Sequence, residues 1–391
     1  MKSVRDINVS GKKVFVRVDY NLPMDDQGNI TDDNRIRATL DMIQWLREKE
    51  ARIILASHLG RPNGVRDAQF SLRPAARRLS EILGIEVRFA DDCIGAAVAK
   101  LVDDISPGSI LMLENLRFHK GEKKNDPAFA KALAELCDVY VNNAFAVSHR
   151  DQASVTGIVS HVKTAGAGFL LEKEIRSYYD AVEHPKRPLV AVIGGAKVSS
   201  KLAALENMLK FVDSLIIGGA MANTFLNAKG VDTKGSMVET DLLDTANAIV
   251  RTAEAKGVEL LLPQDLVAAE TFDKDARCDT VALDGMPDGW MALDVGPETA
   301  KAYAQVIKGA GTIVWNGPMG VFEMDRFAKG TQCVADAIAG ASGFSIVGGG
   351  DTGLAAKKCG IADKVNYIST GGGAFLHMME GKTLPGVAAL E

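Results

Sequence analysis

With 391 residues, 47% of them hydrophobic and 24% charged, the chain is too long for one ordinary hydrophobic core and too apolar for a disordered polymer. Its net charge of −5 gives no support to non-specific nucleic-acid binding. No run approaches the roughly 20 apolar residues of a membrane span, and the opening MKSVRDINVSGKK lacks the apolar centre of an export signal. The expectation is a cytoplasmic protein of two domains that engages neither membrane nor nucleic acid.

Short runs rich in Val, Ile and Leu recur between segments of helical spacing, the pattern of parallel strands covered by helices on both faces. In the first half they are VFVRV (14 to 18), RIILA (52 to 56), ILML (110 to 113) and VYV (139 to 141). Next comes GFLLEKEIRSYYDAVEHPKRP, where Leu170, Leu171, Ile175, Tyr178, Tyr179 and Val182 mark an amphipathic helix that ends before Pro185 and Pro188. In the second half the runs are LVAVI (189 to 193), SLIIG (214 to 218), ELLL (259 to 262), TIVW (312 to 315), FSIVG (344 to 348) and NYIS (366 to 369). The predicted fold is α/β: two doubly wound, Rossmann-like parallel sheets, residues 1 to 168 and 189 to 376, joined by a helical hinge at 169 to 188. No fixed-period repeat or low-complexity tract interrupts the series.

Ligands of open parallel sheets bind beyond the carboxyl ends of the strands, and the residues there differ between the halves. After the first-half strands come DYNLP, SHLGRP, ENLRFH and NNAFAVSHR, which supply His58, Arg61, Arg117, His149 and Arg150, with Arg35 and Arg37 nearby in DDNRIR. The guanidinium fork pairs with carboxylate and phosphate through parallel hydrogen bonds, so this set suits a small, multiply charged acid. Asp19 and Asn21 are either turn formers before Pro23 or groups that orient an arginine and accept a substrate hydroxyl. Charge is divided in the same sense: residues 1 to 170 hold 24 Lys and Arg against 22 Asp and Glu, a net +2, and the remainder holds 21 against 28, a net −7.

After the second-half strands the chain turns glycine-rich: GGAKVSSK (194 to 201), GGAMANTF (218 to 225), NGPMGVFE (316 to 323), GGGDTG (348 to 353) and STGGGAF (369 to 375). Glycine ahead of a helix lets backbone amides approach phosphate oxygens, and the helix N-terminus favours negative charge. Lys197 and Lys201, four apart at a predicted helix start, repel unless an anion lies between them. Asp351 either holds Mg²⁺, which prefers one or two carboxylates plus phosphates and waters, or caps the next helix. Glu323 stands where a ribose hydroxyl could be accepted, or is a solvated acid.

Three shorter patterns fail. Gly381-Lys382-Thr383 lacks the glycine a Walker A loop needs at Leu376; His149-Arg150-Asp151 mimics a kinase catalytic loop but has Thr156 where Asn is required; and no GxGxxG follows the first strand. The six histidines show no metal-ligand spacing, and the five cysteines (Cys93, Cys137, Cys278, Cys333, Cys359) form no CxxC pair, so they read as reduced thiols.

Taken in order, RVDYNLP, SHLGRP, ENLRFH, GGAKVSSK, WNGPMGVFE, GGGDT and STGGGAF…EGKTLPGV closely resemble the phosphoglycerate kinase family, nearly end to end. The resemblance implies reversible transfer from 1,3-bisphosphoglycerate to MgADP, giving 3-phosphoglycerate and MgATP, in a monomer. It places the glycerate ligands at Asp19, Asn21, Arg35, His58, Arg61, Arg117 and Arg150. It places the nucleotide ligands at Gly195, Lys197, Lys201, Gly218, Gly219, Asn316, Pro318, Glu323, Gly350, Asp351 and Thr352, with Mg²⁺ at Asp351. Catalysis falls to Arg35, Lys201 and the helix start Gly371, Gly372 and Gly373, and a tail from about residue 377 is expected to return to the first domain. The chain departs from the family pattern at Asn143, Ala146, Val147 and Ser148, at Ala220, and at Phe375 and His377, which puts local loop geometry in question.

Overall fold

The computed structural model describes residues 1 to 391 and divides into two compact units, Met1–Ile175 with Thr383–Glu391, and Arg176–Lys382. In the first, β1 (Lys13–Arg17), β2 (Arg52–Ala56), β3 (Val87–Phe89), β4 (Ile110–Met112), β5 (Val139–Asn142) and β6 (Ala165–Ala167) form one sheet in the order β3-β4-β2-β1-β5-β6. Every pairing is parallel. The four runs predicted here are all strands; β3 and β6 lie at the two edges, with three residues each. β3 is VRF, with an arginine at its centre, and β6 is AGA, with only small residues, so neither registers as a run of Val, Ile and Leu.

The second unit contains β7 (Leu189–Ile193), β8 (Ser214–Ile217), β9 (Glu259–Leu261), β10 (Asp265–Ala269), β11 (Cys278–Ala282), β12 (Met291–Val295), β13 (Thr312–Asn316), β14 (Phe344–Val347) and β15 (Tyr367–Ile368). Six of them make a second parallel sheet in the order β15-β14-β13-β7-β8-β9. The other three form an antiparallel sheet, β11-β10-β12, absent from the sequence reading. Its strand β11 is CDTVA, with exposed Asp279, Thr280 and Ala282, so it has none of the continuous apolar character used to find buried parallel strands.

The core strands β1, β2, β5, β7 and β13 are buried almost throughout, as strands covered on both faces must be. One apolar cluster packs Val14, Val16, Ile53, Leu55, Ile110 and Val141 in the first unit; another packs Val190, Val192, Ile313, Trp315 and Val347 in the second. The connecting helix spans Phe169–Val182. Leu171, Tyr178 and Val182 are buried on it, whereas Tyr179 is 43% exposed, so the predicted apolar stripe is narrower than its sequence.

The two units divide within this helix, at Ile175 and Arg176. The helix Gly372–Met379 stays with the second unit, where Asn207 Nδ2 donates to Met379 O at 2.8 Å and Tyr178 Oη donates to Met378 O at 2.7 Å. The segment that rejoins the first unit is Thr383–Glu391, tied by Gly386 N to Ser148 O at 2.8 Å.

Candidate functional site

In the first sheet, β1 has β2 on one side and β5 on the other, which makes β1 and β5 the switch point at which crossover connections leave in opposite directions. The loops after β1, β2, β4 and β5 carry the predicted anion ligands, Arg117 following β4. Asp19 is buried; Arg35 Nη1 donates to its Oδ2, and His58 Nδ1 lies 3.7 Å from its Oδ1. Asn21 acts within the loops, accepting from Gly60 N at 2.8 Å. Arg117, 4% exposed, donates from Nη1 to Gly60 O at 2.7 Å, while its Nε and Nη2 are buried without a hydrogen-bond partner. Two orphaned donors on one guanidinium make a fork shaped for an oxyanion.

The electrostatics agree. Burial, and then the charges of Arg17, Arg117, Arg150 and Arg35, push His58 well below its ordinary range, so its imidazole is neutral. Burial and the neighbouring Arg150 and Arg17 lower Arg117 to about 10. Arg150 is lowered too, chiefly by burial, with Arg17 and exposed Arg61 adding to the effect while Asp19 opposes it. Cations held this close favour a multiply charged anion. Arg37 is not among them: it is half exposed and bound to Asp33 at 2.7 Å, on the far side of its helical turn from Arg35.

Sequence reasoning took Arg17 as part of a strand run, but it is fully buried beneath this basin. Its Nε donates to Ser154 Oγ at 2.8 Å, its Nη2 lies 3.3 Å from His58 Nδ1, and Glu122 stands 4.0 Å away. A charged residue inside an otherwise apolar buried strand was the available signal. The fold also gathers Asp92, Cys93 and His119 within 4.8 Å, a grouping no linear spacing announces; His119 Nε2 and Asp92 Oδ1 already engage each other at 2.6 Å.

In the second sheet the switch point lies between β7 and β13, and the two loops beyond them meet. Lys201 donates to Asn316 O at 2.7 Å and also to Asn316 Oδ1. Burial lowers its ammonium to about 8, against the attraction of Asp351. The predicted placement of both lysines inside a helix start is corrected: the helix is Leu202–Met208, Lys201 is its N-cap, and Lys197 lies exposed in the preceding turn. Val198 is buried in that turn, and its carbonyl accepts from Lys201 N at 2.8 Å. Gly317 has φ +108°, and a Cβ there would fall 2.2 Å from Gly194 O, so the two loops approach more closely than any side chain permits.

These loops open on a cleft of about 650 Å³. Gly195, Gly219, Pro318, Glu323 and Asp351 line it on one side; Leu266, Phe272, Met291 and Leu293 supply an apolar wall from the antiparallel sheet and its connections. That wall was missed with the sheet. Gly218 lies behind the lining, where a Cβ would be 2.3 Å from Met319 Sδ. Thr352 is buried, its Oγ1 accepting from Gly317 N at 2.8 Å. Asp351 opens the helix Asp351–Lys358, but the N-cap is Gly350 at φ +66° and no side chain caps the helix, so the capping alternative does not hold. Gly371 caps the helix Gly372–Met379, whose first-turn amides lack intrahelical acceptors, as at any helix start.

The family model for phosphoglycerate kinase matches residues 4–382. The chain belongs to the phosphoglycerate kinase family. It is 62% identical to the phosphoglycerate kinase of Desulforapulum autotrophicum over 391 residues, all of both chains, and 55% identical to that of Desulfosudis oleivorans over 100% of this chain and 99% of the relative. Among solved structures, phosphoglycerate kinase from Coxiella burnetii matches with a TM-score of 0.91 and 44% identity, covering 99% of this chain and 98% of that one. The enzyme from Pyrococcus horikoshii matches with a TM-score of 0.86 and 34% identity, covering 100% and 98%.

Several of the departures from the family pattern are packed into the fold, although Asn143 Nδ2 is buried without a hydrogen-bond partner. Asn143 Oδ1 accepts from Leu170 N at 2.8 Å, and Phe145–Val147 forms a 3-10 turn with Phe145 and Val147 buried. Ser148 Oγ donates to Ala144 O at 3.0 Å. Phe375 is buried with its ring edge-on to Tyr178, centroids 5.8 Å apart.

Proposed function

We propose that the chain catalyses reversible phosphoryl transfer between 1,3-bisphosphoglycerate and MgADP, giving 3-phosphoglycerate and MgATP, in glycolysis and gluconeogenesis. What carries the reading is one contrast. In the loop after β4 of one sheet a buried arginine fork has two unpartnered donors, and at the switch point of the other a partly buried lysine joins the loops that open on a glycine-walled cleft.

In this reading the first unit holds the acid through Asp19, Asn21, Arg35, His58, Arg61, Arg117 and Arg150. The second holds the nucleotide, with the base against the apolar wall and the phosphates toward Gly195, Lys197, Lys201, Gly219 and the loop from Asn316 to Glu323. The donor set around Asp351, one exposed carboxylate at the cleft mouth beside the phosphate loops, fits the Mg²⁺ that arrives with the nucleotide. Held there by Asp351, the ion would supply positive charge to offset that of the phosphates.

A carboxylate acceptor is ionised at neutral pH, so no general base is needed, and positioning with charge stabilisation carries the rate. Lys201 and the amides of Gly371 to Gly373 act on the transferred group from the nucleotide side, and Arg35 from the acid side. In-line transfer then requires closure about residues 169 to 188, which also excludes water. The five free cysteines suit a reducing compartment, and we place the enzyme in the cytoplasm as a monomer.

The test is MgATP-dependent phosphorylation of 3-phosphoglycerate, coupled through glyceraldehyde-3-phosphate dehydrogenase to NADH loss. Signal requiring Mg²⁺ and both substrates is expected; folded protein that is inactive with 3-phosphoglycerate but active with acetate or glycerate would overturn the substrate assignment.

A further inference from the structure

Beside the loop that lines the nucleotide cleft, and itself at the edge of the cleft's lining, is a carboxylate with no part in the mechanism above. Asp294, the penultimate residue of β12, is 4% exposed. Its Oδ2 accepts from Gly330 N at 2.8 Å and its Oδ1 from Val295 N at 2.9 Å. Gly330 belongs to the first turn of the 12-residue helix Lys329–Gly340, where a negative charge is favoured by unpaired amides. The same carboxylate is pressed against the cleft loop: a Cβ at Gly320 would fall 2.3 Å from Asp294 Oδ1, and one at Gly330 would fall 2.5 Å from it. Neither contact admits a side chain.

The elements it joins hold the loop on both sides. Thr331, next to Gly330, accepts from Met319 N through its Oγ1 at 3.0 Å, and Leu293 O, next to Asp294, accepts from Val321 N at 2.8 Å. Met319 O in turn accepts from Gly219 N at 3.0 Å, on the opposite wall. Pro318, Met319, Gly320, Val321, Phe322 and Glu323 all line the cleft.

We propose that Asp294 is a positioning residue for nucleotide binding: its carboxylate fixes the start of the helix Lys329–Gly340 against β12 and thereby sets the Pro318–Glu323 wall of the cleft. The inference rests on reading that cleft as the nucleotide site. It also makes affinity sensitive to pH. Burial raises Asp294 to about 7, opposed by the amides of Gly330, Val295 and Lys329 and by the Lys329 charge. Of the other titratable groups on adjoining elements, Glu323 lies on the loop, and Asp265 on the paired strand is committed to Thr299. A protonated Asp294 presents a donor to a site built of donors, so base-side affinity falls as pH drops through neutrality.

The experiment measures MgADP binding by calorimetry and both KM values for wild type and Asp294→Asn, with thermal melting as the folding control. The variant is expected to raise the nucleotide Kd and KM roughly tenfold, the scale of a lost charged hydrogen bond, and to leave the 3-phosphoglycerate KM within about twofold. Adenosine, which carries no titrating phosphate and does not engage Lys201, serves as the probe of pH. Wild type should bind it several-fold more weakly at about pH 6 than at about pH 8, and Asp294→Asn should show no such slope. Wild type that fails to bind MgADP would overturn the site reading itself. Normal MgADP binding by wild type with an unchanged Kd in the folded variant would overturn this inference alone. Should the variant not fold, a flat adenosine profile in wild type would overturn it.

Discussion

Beyond β1, β2, β4 and β5 the groups proposed to hold the acid are side chains; beyond β7 and β13 those proposed to hold the nucleotide are mainly backbone. Both sheets are six-stranded and parallel, with switch points at β1/β5 and β7/β13, but β4 lies between β2 and β3 in the first, whereas the second runs in sequence order outward from its switch point. In the first unit the charge is carried by guanidinium groups crowded closely enough to depress one another, as Arg117 and Arg150 show. In the second, glycine removes side chains from the loops beside the cleft, and one lysine joins those loops through Asn316. A small acid offers charge in several directions and is matched by movable forks. A polyphosphate tail is an extended row of oxygens, matched by closely approaching amides. One fold class therefore supports two recognition modes because the ligand-facing loops are independent of the buried strands.

This contrast can be broken one side at a time. The largest effect is expected at Lys201, the cation closest to the transferred group in this reading. Lys201→Ala should lower kcat by roughly 10²- to 10³-fold, the cost of removing one preorganised donor, with a much smaller change in substrate Kd. A kcat within a few-fold of wild type would remove Lys201 from the mechanism. Next in size is Arg117→Ala, which takes away the fork with the orphaned donors. It should raise the 3-phosphoglycerate KM by tens-fold, as expected for a buried charged contact of about 2 to 3 kcal/mol. Calorimetry with 3-phosphoglycerate alone would check it.

A smaller effect should appear with pH. Because burial lowers Lys201 to about 8, its ammonium loses its proton above that pH in the free enzyme. The kcat/KM for nucleotide should therefore fall as pH rises beyond about 8, whereas Lys201→Arg, which stays charged, should lack that fall. Smallest of all is Arg37→Ala. Its pair with Asp33 lies at the surface, so both KM values should hold and the melting temperature should shift by no more than about 2 °C.

How much of this was legible beforehand depended on the kind of signal. The ten apolar runs found without coordinates are all strands, because a strand buried on both faces must be apolar throughout. The antiparallel β10, β11 and β12 escaped, since a partly solvated sheet carries residues such as Asp279 and Thr280. The apolar wall of the cleft and Asp294 were hidden with it. Local motifs pointed to Arg117, Lys201 and Gly317, but not to the partners that position them. Arg17, Ser154 and Glu122 come from separate segments, and only the folded chain brings them together. The helix start at Lys201 was misplaced because the spacing of two charges does not fix where a helix begins: the chain turns at Val198–Lys201 first, and the helix starts at Leu202.

The division of labour between side-chain and backbone recognition is tested most directly by measuring both KM values in Arg117→Ala and in Gly317→Ala, where a methyl would fall 2.2 Å from Gly194 O. The account expects a crossed result: Arg117→Ala raises the 3-phosphoglycerate KM alone, and Gly317→Ala raises the MgATP KM alone. Equal increases in both KM values for either folded variant would contradict it.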